Sequence, residues 1–353
     1  MSFTNWQIGY VPYSSDLSHP ADRRRFPYFA KKNHVSFEIA NPLKKYDVIL
    51  LHGQANLSKW LLYKKEHPKT KFIFEMNDSV IFSSDLFRSL FKGPGRFLLK
   101  RESLFYFNYK TPVKKWLSIA DVVICSSEGV KKSIQNFNKR IIVCLDYLQS
   151  EYRFLKKDFS IGEKLKLVWE GRGDVLPHLL YFKKYFAEVS TFCELHIITS
   201  ENYPAYGNII EKKTAQILNQ LPIKTVFHKW EIDSKDVLLS ECDLGIIPLN
   251  RKNEFAWNKP ANKLISYWST GLPSLVSDTP AYVNMMNSAG ESFYAASIEE
   301  WVTKTNEIKN ISTENREALA KNNHEFVQIY YSDEALDKIW VNILKEAKEM
   351  NDE

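Results

Sequence analysis

Residues 258–278 read NKPANKLISYWSTGLPSLVSD. The first half carries an amphipathic pattern that predicts a helix over 260–270, burying Leu264, Ile265, Tyr267 and Trp268. Asn258 suits the N-cap, Pro260 the first turn, and Gly271 the position just past the helix end. The second half, 273–278, is a short apolar run that predicts a buried strand, and another such run, DLGIIPL over 243–249, precedes the helix. Strand, helix and strand in this order are the repeating unit of a parallel α/β sheet. Lys259 and Lys263 stand where the helix N–H groups and dipole already favour an anion. They form either a phosphate or diphosphate seat or a pair of solvated cations.

The same alternation extends outward in both directions. In the second half, strands are predicted over 165–171, 193–200, 224–230, 243–249, 273–278 and 292–296, with helices over 176–189, 207–219, 234–241, 260–270, 279–287 and 297–309. In the first half, strands are predicted over 7–12, 35–40, 46–52, 71–76, 121–126 and 140–145, with helices over 21–32, 55–66, 84–92 and 127–137. The strand runs are mostly apolar on both faces, as in a parallel sheet covered on both sides. A polar, irregular stretch over 149–164 reads as a linker. The expected fold is α/β: two Rossmann-like doubly wound domains facing a central cleft, with C-terminal helices. The first domain spans 1–155 and the second 156–330. A last helix over 331–353 is expected to pack back towards the first domain. Chemistry in such folds sits in loops at the carboxyl ends of strands.

Bulk properties narrow the class. A chain of 353 residues suits two cores, and 44% apolar with 25% charged residues describes a globular protein. A net charge of +6 without a clustered basic motif argues against nucleic acid and suits phosphorylated small molecules or an anionic membrane. No apolar run is long enough to span a bilayer, and the first residues lack the pattern of a signal peptide. The expected location is cytoplasmic, with peripheral attachment to the inner face of the cytoplasmic membrane as an option. Cys125, Cys144, Cys193 and Cys242 form no CxxC pair, so reduced thiols are expected and no zinc site. The segment 93–119 is aromatic and basic. It is either an insertion packed on its domain or a surface facing an acceptor or a membrane.

Several strand ends carry candidate chemistry. Gly171 and Arg172 in VWEGRGD combine close backbone approach with a forked cation for phosphate. Trp230 in FHKWE could stack on a base or sit half-buried. In the first domain, Arg23, Arg24 and Arg25 open a helix against its dipole, which an anionic donor or acceptor sharing the site would explain. Asp78 in FIFEMNDSVIF is the leading candidate for orienting an acceptor or taking its proton, with Glu75 in reserve. His52 ends another strand, either as a cleft residue or as a capped core histidine.

KPANKLISYWSTGLPSLVSDTPAY, over 259–282, resembles the donor segment of GT-B glycosyltransferases of the family-four-like group. ADVVICSSEGVKKSI, over 120–134, resembles that group's first-domain pattern, in which a strand ends at a serine, here Ser126, before a helix. The resemblance covers roughly 5–345 in order of elements. It implies a nucleotide-sugar donor held by Arg172, Asn258, Lys259, Asn262, Lys263 and Ser266, and an acceptor near Ser126; Gly171 and Trp230, read from their own chemistry, join the donor side, and Arg23, Arg24 and Arg25 the acceptor side. The implied reaction is sugar transfer to a glycan or lipid-linked acceptor in polysaccharide or lipopolysaccharide synthesis, with retention of configuration. One departure stands out. Aligned on Gly271, Leu272 and Pro273, Asn258 and Ser266 occupy the places of two glutamates that many members carry. No Asp-x-Asp element suggests a metal, and no cofactor is required. The alternatives are a nucleotide-sugar epimerase or hydrolase of the same fold, and a non-catalytic partner protein.

Overall fold

The structure, a computed structural model, describes residues 6–76, 93–148, 153–205 and 210–349. The chain divides into two compact units. Unit 1 comprises Met1–Gln149, Asn258–Pro260 and Asp333–Glu353; unit 2 comprises Ser150–Trp257 and Ala261–Ser332.

Unit 1 is built on six parallel strands: β1 (Ile8–Tyr10), β2 (Glu38–Ile39), β3 (Val48–His52), β4 (Lys71–Met76), β5 (Val122–Cys125) and β6 (Ile141–Val143). Their order is β2-β1-β3-β4-β5-β6. Alternation sends Ile49, Leu51, Phe72, Phe74 and Val123 to one face, against Trp60 and Trp116. Val48, Leu50, Ile73, Val122 and Ile124 go to the other, against Phe26, Phe29 and Trp340. Both faces are covered, so β3 reads as an unbroken apolar run. The terminal helix Asp333–Glu349 supplies Trp340, whose ring lies 5.6 Å from Phe26 and 5.9 Å from Phe29.

Unit 2 contains β7 (Leu165–Glu170), β8 (Cys193–Thr199), β9 (Asn202–Ala205), β10 (Ile210–Lys213), β11 (Thr225–Lys229), β12 (Leu244–Ile247), β13 (Ser274–Ser277) and β14 (Tyr294–Ala295). The main sheet is parallel, in the order β11-β8-β7-β12-β13-β14. Counted within the unit this is the Rossmann order, which reverses direction between β7 and β12. Two expectations fail here. In the described part of the helix predicted over 207–219 only Ala215–Leu218 is helical, because β10 pairs antiparallel with β9. The helix predicted over 176–189 is 3₁₀ over Gly173–Phe182 and α-helical only from Lys183; Pro177 within it has no N–H to donate.

The decisive helix runs Asn262–Ser269, with Ala261 as its N-cap and no side-chain cap. Asn258 is therefore not the cap. A separate turn of helix, Glu254–Trp257, precedes it, and the backbone carbonyl of Asn258 accepts from Ser127 Oγ at 2.9 Å. Gly271 does end the helix: with φ +82° it donates to Trp268 O, while Leu272 donates to Tyr267 O, both at 3.1 Å. A Cβ there would lie 2.7 Å from the Phe154 ring. Gly271→Ala is expected to lower unfolding stability by about 2 kcal/mol or more, read from the urea midpoint, since the left-handed backbone and the clash add.

All four cysteines are free and buried, and burial pushes each thiol up to about 12. Among the described residues, no helix is long and apolar enough to cross a membrane.

Candidate functional site

In unit 2 the reversal point lies at the carboxyl ends of β7 and β12, and β7 ends at Glu170. Three side chains converge on that residue. Lys263 Nζ donates to its carbonyl. Its N–H donates to Tyr267 Oη at 2.8 Å, and its carboxylate accepts from Trp230 Nε1 at 3.0 Å. Lys263, Ser266 and Tyr267 share one face of their helix by their spacing of three and four. The Lys263 ammonium also lies 4.8 Å over the Trp169 ring. A Cβ at Gly171 would sit 2.7 Å from that ring and 3.1 Å from Lys263 Nζ, so only glycine fits. Arg172 follows with its side chain 81% exposed, held bidentately by Asp174 at 2.9 and 2.6 Å.

The structure thus gathers Gly171, Trp230 and Lys263 around Glu170, with Arg172 next in the chain. Ser266 lies on the same helix and accepts from Lys235 Nζ at 3.3 Å. Asn262 is the first residue of that helix. Asn258 and Lys259 precede it and group with unit 1, where Lys259 is exposed. Sequence reasoning passed over Glu170 as the organiser and Lys235 as a neighbour of Ser266. Glu170 was legible as a strand-end acid; Lys235 was not, because only the fold brings it to Ser266.

A cavity of about 340 Å³ lies at the carboxyl ends of β12 and β13, lined by Leu249, Arg251, Trp257, Asp278 and Trp301 among others. Arg251 pairs with Asp278 and lies 5.3 Å over the Trp257 ring.

Unit 1 redraws most of the acceptor-side expectations. Asp78 lies outside the described residues. The three arginines do not open one helix. Arg23 closes the turn Pro20–Arg23, where a cation suits the dipole, and Arg24 is its C-cap. Arg25 is 1% exposed and is no surface ligand. It forms ion pairs with Glu75 and with Asp146, the latter at 2.8 Å, and donates to Cys144 O at 3.0 Å. Burial works against the guanidinium charge, but Glu75 and Asp146 more than offset it. Glu75, 5% exposed, is thus half of a buried ion pair and poorly placed as a reserve base. Burial pushes its carboxyl up and Arg25 opposes that push. Ser126 is buried, and its neighbour Ser127 caps the following helix.

His52 is also a core residue. Nε2 donates to Pro12 O at 3.1 Å, Nδ1 accepts from Gln54 N–H at 3.2 Å, and Tyr13 stacks at 3.6 Å. Burial pushes it down to about 4. In the unfolded chain the imidazole takes its proton near 6.5, so the unfolded state binds protons first as pH falls. Stability held above pH 6.5 is therefore lost between about 6.5 and 4, by up to ~3 kcal/mol. Urea midpoints across that window should fall for the wild type and flatten for His52→Gln.

No family model and no curated protein matches the chain. Solved structures do. Sucrose-phosphate synthase of Thermosynechococcus elongatus aligns at TM-score 0.61 and 12% identity, over 96% of this chain and 80% of that one. HepE of Anabaena, solved with UDP and glucose, aligns at 0.61 and 11%, over 96% and 99%. The chain has the GT-B fold. TarM of S. aureus shares it at TM-score 0.50 and 12% identity, over 81% of this chain; the chain spans 58% of that TarM's length. Against a second TarM structure it spans 54%. At these identities the likeness concerns the GT-B fold alone.

Proposed function

We propose that the protein transfers a sugar from a nucleotide-sugar donor to a glycan or lipid-linked acceptor, in polysaccharide or lipopolysaccharide synthesis. The observation that carries this reading is Lys263, held over Gly171 at the reversal point of the unit 2 sheet, beside the exposed Arg172. Two cations at a strand end and a helix start suit the diphosphate of a departing nucleotide. That charge stabilisation belongs to side chains, so the reaction is proposed to need no metal. Trp230, 37% exposed and fixed through Glu170, offers a face for the base. Retention of configuration follows from the family-four-like resemblance, and the cytoplasmic face of the membrane is the proposed location. HepE was solved with UDP and glucose, and TarM with UDP and α-GlcNAc-glycerol, which makes a uridine donor the first to test.

Thermal shift with UDP, GDP, ADP, TDP and CMP tests the donor class. One nucleotide at 100 times its Kd should add about 2.7 kcal/mol of stability, a rise of several degrees. No shift with any of them would favour a second reading, that of a non-catalytic partner protein. The residues favouring that alternative are Asn258 and Ser266, with Lys235 rather than a carboxylate beside Ser266. Product analysis with donor alone separates both from an epimerase or hydrolase, which needs no acceptor.

A further inference from the structure

We infer that residues 97–107 of unit 1, the end of a short helix and the loop after it, form a docking segment for an anionic lipid surface. The segment is pinned at both ends. Arg96, 8% exposed, donates to Gln54 O and Ala55 O at 2.8 Å and lies 4.5 Å over the Tyr109 ring. Tyr109 is buried and its hydroxyl donates to Gly53 O. Midway, the buried Glu102 carboxylate accepts from Leu57 N–H and Ser58 N–H at 3.0 Å and from Ser58 Oγ at 2.7 Å. It thereby sits on the N-terminus of the helix Leu57–Glu66, where a negative charge is favoured.

Between these pins the apolar side chains point outward. Leu98 is 79% exposed, Phe107 74% and Leu99 68%, with Phe97, Leu104 and Phe105 also exposed. Phe105 packs edge-on against Phe97 at 5.7 Å and Phe107 at 4.9 Å, so the cluster packs on itself. A loop that only had to close would carry polar residues here, and an exposed apolar cluster of this size marks an interaction surface.

Charge selects the occupant. Within 93–119 the exposed charges are Lys100, Arg101, Lys114 and Lys115, while Glu102, the segment's single acid, is buried. Phe and Leu interleaved with cations match the headgroup boundary of an anionic bilayer. A second copy of the chain would set Lys100 and Arg101 near their own like charges. The inference deepens the membrane-side part of the proposed function and rests on it for purpose. Docking uses no donor-site residue, so the two can fail separately.

The full chain, without nucleotide or acceptor, should sediment with vesicles of about three parts phosphatidylcholine to one part phosphatidylglycerol, and not with phosphatidylcholine alone. F105S/F107S should weaken association at least about tenfold through lost apolar burial. K100S/R101S should weaken it roughly thirtyfold, matching about 1 kcal/mol per cation, and added salt should shrink that difference. The thermal midpoint of each variant checks folding; should the phenylalanine variant fail to fold, the cation variant and the salt series decide. Equal binding to both vesicle types, or no loss in the cation variant, overturns the proposal. So does a concentration-dependent dimer in sedimentation velocity that F105S/F107S abolishes.

Discussion

Arg172→Ala/Lys263→Ala is expected to lower kcat/KM for sugar transfer by about 10²–10³ and to remove the stabilisation that the cognate nucleotide confers. Lys263 is held by the Glu170 carbonyl and the Trp169 ring, so its charge is fixed before any ligand arrives. Preorganised charge of this kind acts on a leaving diphosphate without further rearrangement. Arg172 is exposed and, among the described residues, is tied to Asp174 alone, so it must exchange that partner for the ligand. The two singles should therefore differ: Lys263→Ala lowers kcat more, and Arg172→Ala acts mainly on KM. Thermal midpoints without nucleotide distinguish a lost charge from a lost fold. Transfer and nucleotide stabilisation that both survive in the double variant would place the donor elsewhere.

How far the sequence reached can be read from particular residues. β3 and β4 were legible because both faces are buried, which leaves the apolar runs Val48–Leu51 and Phe72–Phe74. The hairpin β9–β10 was not: IEKK in β10 is largely exposed, and its polar pattern imitates a helix surface. Gly271 was legible because its role is local. Asn258 was misassigned because cap chemistry was present in sequence, while the fold spends its carbonyl on Ser127. Gly171 and Lys263 were visible as strand-end and helix-start residues, but not that one closes on the other. That closure depends on Trp169 and on a helix more than ninety residues further along the chain.

Arg25 shows the same limit at its sharpest, and it carries the second large expectation. RRR looked like a cationic ligand patch, because its partners lie 50 and 121 residues away. Arg25→Met should cost about 3–5 kcal/mol of unfolding stability, because it strands the Glu75 carboxylate in the core. Asp146 should suffer less, since its side chain is 28% exposed and can turn to water. Arg25→Met/Glu75→Leu removes both buried charges and should recover most of the loss, since apolar replacements of buried pairs are often neutral. A single variant within about 1 kcal/mol of wild type would mean that water reaches Glu75. A double variant as unstable as the single would instead locate the cost in the Cys144 carbonyl, left without the Arg25 donor. The pair would then matter less as a charge balance than as the fastening between the helix Phe26–Lys32 and the loop after β6.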